Sequence, residues 1–185
     1  SHRQPSRRGH TNWAPGHRGP PGGSVARSIA AGGAVTCAVL ENDSLYCWGQ
    51  NNVNQLGTGG DATTGESTPQ HVALLTSNPD YGVRAVATGG SHTCAISTGD
   101  NVWCWGSDTN GELGKGGSDS QDSFPDHASF GGDNHGHGAA IGIALGSQHS
   151  CAAFEDGSVY CWGDNTYGQL GLGDWDNRSS PTQVD

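Results

Sequence analysis

Of the 185 residues, 32% are hydrophobic and 32 are glycine, which suits many short strands joined by turns and argues against a helical bundle. No apolar run approaches the roughly eighteen residues of a membrane-spanning helix. The formal net charge of −10 is unevenly placed: residues 1–27 carry five arginines and no acid, while residues 28–185 hold all 18 acids and three bases, a balance that argues against general nucleic-acid binding by the body.

The chain opens on a basic arm, residues 1–27, beginning "SHRQPSRRGHTNWAPGHRGPPGG". It has no hydrophobic periodicity, and its composition predicts extension. Pro15, Pro20 and Pro21 stiffen it, Trp13 is its one large apolar side chain, and Arg3, Arg7, Arg8 and Arg18 oppose the acidic body. At about 3.1 Å per residue such an arm reaches roughly 80 Å, enough to cross a neighbouring subunit. The sequence contains no methionine, even at position 1, which is expected of a processed chain or a fragment.

From residue 28 the chain repeats. Cys37, Cys94 and Cys151 are spaced by 57 residues, as are Cys47, Cys104 and Cys161, Trp48, Trp105 and Trp162, and Leu56, Leu113 and Leu170. The units fall at about 28–82, 83–139 and 140–185. In each, a short apolar run ("VTCAVL", "HTCAIS", "HSCAAF") meets a turn ("END", "TGD", "EDG") and then an aromatic run ("LYCWG", "VWCWG", "VYCWG"). This predicts a β-hairpin. A polar loop ending in "QLG" or "ELG" follows, and "TPQHVALL" and "SPTQV" predict an outer strand, where proline is tolerated. "RAVATGG" and "IGIALGS" open the next unit.

The pattern "GGSHTCAI" followed by "VWCWGSDTNGELG" resembles the regulator-of-chromosome-condensation repeat. The resemblance covers residues 28–185 and implies blades of four antiparallel strands. The fold expected is therefore all-β: three propeller-type blades forming an open or partial β-propeller, with an extended N-terminal arm. The family's activities include nucleotide exchange on a small GTPase, chromatin binding and protein inhibition. Its functional residues sit in variable loops and are not carried over to this chain. The paired cysteines resemble secreted variants of the repeat.

Cys37 and Cys47 are symmetric about Asn42, so a three-residue loop at 41–43 sets them opposite each other, within disulfide range. The expected bridges are Cys37–Cys47, Cys94–Cys104 and Cys151–Cys161. Thiolate metal binding is the rival reading, since His92 and His149 lie two residues before Cys94 and Cys151, but cysteine pairs with this spacing match no common zinc site. Disulfides imply an oxidising compartment, and the sequons at Asn42 and Asn177 agree with an extracellular, glycosylated protein.

No nucleophile elbow, phosphate loop or metalloprotease motif is present, so neither catalysis nor a cofactor is expected. Trp175 stands outside the repeat pattern and is a candidate contact residue. With three units, the arc is expected to leave two sheet faces open. The first functional expectation is a structural subunit of an extracellular fibre or appendage. It would assemble with copies of itself through the arm and the blade edges, without nucleic acid or a membrane span. The alternative is an extracellular protein-recognition module that forms part of a larger propeller.

Overall fold

The computed structural model describes residues 25–59, 62, 64–73, 82–117, 121–130 and 138–185. Residues 1–24 of the arm, with Arg3, Arg7, Arg8, Trp13 and Arg18, lie outside the described residues. Among the described residues, twelve strands form three four-stranded antiparallel sheets, each ordered as its chain runs. The first is β1 (Ala26–Gly32), β2 (Val35–Leu40), β3 (Leu45–Gly49) and β4 (Glu66–Val72). The second is β5 (Val83–Thr88), β6 (His92–Ser97), β7 (Val102–Ser107) and β8 (Gln121–His127). The third is β9 (Ala140–Leu145), β10 (His149–Phe154), β11 (Val159–Gly163) and β12 (Arg178–Gln183). These are three blades of a partial β-propeller. β1 begins at Ala26, inside the stretch assigned to the arm, so Arg27 belongs to the first blade.

The hairpins explain the register. Leu40 N–H donates to Ser44 O at 2.9 Å and Asp43 N–H to Leu40 O at 3.0 Å, closing a three-residue loop. Its last position is left-handed in every blade, with φ of 64° at Asp43, 66° at Asp100 and 88° at Gly157. That twist suits a hairpin, and aspartate and glycine tolerate it better than branched residues do. The register then sets Cys37 against Cys47, Cys94 against Cys104 and Cys151 against Cys161. Each pair is closed as a disulfide across 4.1 Å between Cα atoms. Pro69, Pro125 and Pro181 lie in β4, β8 and β12, the outer strands, where a missing N–H breaks no ladder.

Alternation along the strands gives each blade two apolar faces. The cysteines point to the trailing face and the "CWG" tryptophans to the leading face, so each core is a seam between consecutive blades. Val35, Cys37, Val39, Leu45 and Cys47 of the first blade pack on Val86, Ala95, Trp103 and Trp105 of the second. Ile96, Val102 and the Cys94–Cys104 bridge pack on Ala152, Phe154, Tyr160 and Trp162 of the third, with Phe130 edge-on to three of these rings.

Polar contacts lock both seams in the same way. Trp105 Nε1 donates to Gln55 O at 3.0 Å, and Trp162 Nε1 to Glu112 O at 2.7 Å. The hydroxyls of Thr93 and Ser150 donate to those same carbonyls at 2.9 Å. Arg27 is anchored on Asp43 at 2.7 Å and donates forward to Val83 O. Arg84 is anchored on Asp100 at 2.9 Å and donates forward to Ala140 O. Ile141 and Gly157 occupy these two positions in the third blade, and Ile141 is exposed. The leading face of the first blade is likewise open, with Ile29 exposed and Trp48 half-buried.

Glycines permit the close approach at the blade tips. A Cβ on Gly32 would lie 2.2 Å from Thr88 O, and one on Gly33 would lie 2.2 Å from Gly90 O. Both clashes are with backbone, so the glycine pair before β2 is a packing requirement and not a phosphate cradle.

Candidate protein-recognition face

The strand directions divide the loops between two edges of the arc. One edge carries the hairpin tips at 41–44, 98–101 and 155–158. The other carries the β1–β2 turns and their equivalents, together with the β3–β4, β7–β8 and β11–β12 loops. Backbone bonds such as Gln50 N to Ala34 O at 2.9 Å and Asp164 N to Gln148 O at 2.8 Å join the loops to the turns.

The three loops share a scaffold built from side chains. Asn51, Asp108 and Asn165 each accept the N–H of the leucine five residues on, at 3.1, 2.9 and 3.0 Å. Gln55, Glu112 and Gln169 each accept the N–H two residues back, at 3.0, 2.7 and 2.8 Å. The buried leucines Leu56, Leu113 and Leu170 anchor each loop in the sheet. The recurrent "QLG" and "ELG" signatures are thus loop staples whose main-chain carbonyls also receive the tryptophans of the next blade.

The second blade departs from this plan by using acids. Asp108 is 2% exposed, and its burial, reinforced by the nearby Glu112 and Asp122 charges, raises its pKa to about 6 despite the bond from Leu113 N–H. The folded form therefore holds this proton more tightly than the unfolded chain. Stability is fully present below the ordinary aspartate value of 3.8 and declines as pH rises through about 6. Asp108→Asn, the residue type found at both equivalent positions, is expected to remove that decline and to stabilise the fold by about 1 kcal/mol at pH 7, after allowance for solvent screening. Urea unfolding of both proteins at pH 4.5 and pH 7 checks it.

His92 is buried at the second seam, with Nε2 3.0 Å from Ser150 Oγ, and burial lowers its pKa to about 4. It is neutral at physiological pH and committed to the seam. The cysteines are all in disulfides, and no group of three potential metal ligands occurs among the described residues. Asn42 is exposed at its hairpin tip. Asn177 is exposed in the β11–β12 loop, where its Oδ1 accepts Asn165 N–H at 2.8 Å.

That loop spans residues 164–177. It presents Tyr167 at 88% exposure and Trp175 at 71%. A Cβ placed on Gly168 would lie 3.8 Å from Trp175 Nε1, so the indole lies beside the turn that carries Tyr167. Asn165 Nδ2 donates to Asp174 O at 3.0 Å and Oδ1 at 3.1 Å, and Arg178 Nη2 donates to Asp174 Oδ2 at 2.6 Å. The two rings are thus held out on a hydrogen-bonded frame. The sequence marks Trp175 as singular. Tyr167 escaped notice, although the equivalent residues, Val53 and Asn110, already mark a tyrosine there as a departure.

Stapled four-stranded blades with variable loops along one edge define a β-propeller repeat protein. Models of the "Regulator of chromosome condensation (RCC1) repeat" match residues 42–96, 100–153 and 156–185, and, in a second form, residues 26–55, 83–112 and 140–169. The chain belongs to the RCC1 repeat family. It is 33% identical to the human X-linked retinitis pigmentosa GTPase regulator over 156 residues, which is 84% of this chain and 14% of that protein. It is also 33% identical to the ultraviolet-B receptor UVR8 of Arabidopsis thaliana over 163 residues, 85% of this chain and 34% of the receptor. Among solved structures, human WBSCR16 superposes with a TM-score of 0.76 at 25% identity, covering 88% of this chain and 40% of that one. Prp20p of Saccharomyces cerevisiae superposes with a TM-score of 0.73 at 23% identity, covering 86% and 38%.

These findings correct the first functional expectation. These two relatives bear the names of a GTPase regulator and a receptor, and neither name is that of a fibre subunit. The arc matches only 38–40% of the solved propeller chains, so its blade number gives no reason for assembly into a filament. Self-association through the arm has no support in these likenesses.

Proposed function

We propose that this chain is a non-catalytic protein-recognition module of the RCC1 repeat family, acting in an oxidising compartment and binding its partner through the loop edge of the third blade. The observation that carries the reading is the pair Tyr167 and Trp175, two large rings left in solvent on a loop whose backbone is held by internal bonds. Aromatic side chains on rigid supports dominate protein interfaces, because they bury much area for little lost entropy. The three disulfides, with no free cysteine, support the oxidising location and an extracellular setting. Exposure of Asn42 and Asn177 is compatible with glycans at both sequons. Among the described residues no helix is long and apolar enough to cross a membrane. Prp20p is described by its binding to Gsp1p and histones, and that protein-binding use of the fold lends the reading further support.

A photo-crosslinking residue placed at position 175 tests it. A discrete partner adduct is expected from position 175 and not from position 155 at the opposite edge of the same blade. Adducts from position 155 alone would move the interface to the hairpin edge and contradict the proposal.

A further inference from the structure

The recognition reading leaves the partner's chemistry open, and the same loop narrows it; the inference rests on that reading. Tyr167 and Trp175 are flanked by Asp164, Asp174 and Asp176, with Arg178 as the one cation of the loop's frame. The Thr166 hydroxyl and Gln169 amide hold the Asp164 carboxyl below the usual range, and the Asp176 N–H and Arg178 do the same for Asp174. Both are therefore carboxylates at any physiological pH. Asp174 is paired with Arg178, whereas the Asp176 carboxylate has no ion pair among the described residues.

The loop already binds one guanidinium. Arg178 Nη2 donates to Asp174 Oδ2 at 2.6 Å, and its Nη1 donates to Asp176 O at 2.8 Å. A second guanidinium would find two exposed π faces and the remaining carboxylates. The planar arginine head stacks on indole and phenol rings while donating in its own plane, a combination a lysine ammonium does not offer. An apolar partner would cover the rings but strip water from carboxylates left unpaired, which is costly.

We propose that the β11–β12 loop recognises an arginine-bearing, extended basic segment of a partner protein, the guanidinium stacking on Trp175 and Tyr167 and pairing with the Asp164 or Asp176 carboxylate. The same position in the first two blades holds Val53 and Asn110, so the site belongs to the third blade alone and is not a property of the repeat.

Fluorescence anisotropy of a labelled Gly-Arg repeat peptide, with the full chain, tests it. The control peptide carries citrulline in place of arginine, which keeps the shape and removes the charge. The arginine peptide is expected to bind at least about tenfold more tightly than the citrulline peptide, and to weaken as salt rises. Trp175→Ala and Tyr167→Ala leave the charge unchanged and are each expected to weaken it by about tenfold. Arginine-peptide binding untouched by both variants would mean diffuse attraction to the acidic body, and overturns the proposal. A citrulline peptide that binds equally well, and loses binding with Trp175→Ala, overturns the basic partner while leaving recognition by this loop intact. In a Trp13→Phe background, a deletion of residues 1–24 that changes the tryptophan emission, and no longer does so once Trp175→Ala is added, would assign the loop to the chain's own basic arm and overturn an external partner.

Discussion

Trp105→Ala and Trp162→Ala are each expected to destabilise the fold by about 3–5 kcal/mol, whereas Trp48→Ala should cost only about 1 kcal/mol. The sequence treats the three tryptophans alike, each following a cysteine at the same repeat position. The structure does not. Trp105 and Trp162 are each 0% exposed, and each fills a seam while its indole N–H is bonded to a loop carbonyl of the preceding blade. Removing either ring leaves a cavity between two sheets and takes one of two donors from a buried carbonyl, which keeps its bond from Thr93 or Ser150, so the cavity carries most of the cost. Trp48 faces the open leading side of the first blade and is half-buried. Equilibrium denaturation in urea separates the cases by midpoint. Equal losses at all three positions would mean that the tryptophans stabilise their own sheets, and the account of the seams would fail.

Reduction of the disulfides is the second large effect. Closing a loop of this size removes about 3 kcal/mol of unfolded-chain entropy per bridge, so full reduction takes away a sum comparable to the whole stability of a domain. Loss of the cooperative transition is expected at 37 °C under strong reductant. The order of opening follows access, because the three hairpins close loops of one size. Cys37, Cys47, Cys94 and Cys104 are 0% exposed inside the two seams. Cys151 and Cys161 face the open trailing side, with Cys161 at 5% exposure and Cys151 more exposed still. Under mild reductant, Cys151–Cys161 should open first. Mass spectrometry after alkylation reads the order directly, and early opening of Cys94–Cys104 would contradict the seam assignment.

The hairpins were legible in the sequence because their signals are local. A three-residue turn, two flanking cysteines and alternation with a period of two fix which residues face each other, and the β2–β3 register follows. Proline placed the outer strands for the same local reason. The seams were not legible, because the bonds that make them cross about a whole repeat. Nothing near Arg27 reveals that its guanidinium will rest on Asp43 and reach Val83 O. The loop site was half legible. Trp175 stood out as a singular aromatic, but the role of Asn165 in holding Asp174, and so the frame under that ring, needs the fold. The fibre expectation came from counting blades and charges, and neither quantity encodes a partner.

Calorimetric titration of the partner identified by the crosslink, purified separately and free of the adduct, against the wild-type chain and the Tyr167→Ala, Trp175→Ala double variant tests the central claim most directly. The account predicts affinity weakened by at least about a hundredfold, with the thermal midpoint unchanged, because both rings stand in solvent and support no core. Unchanged affinity in a folded double variant would contradict the assignment of recognition to this loop.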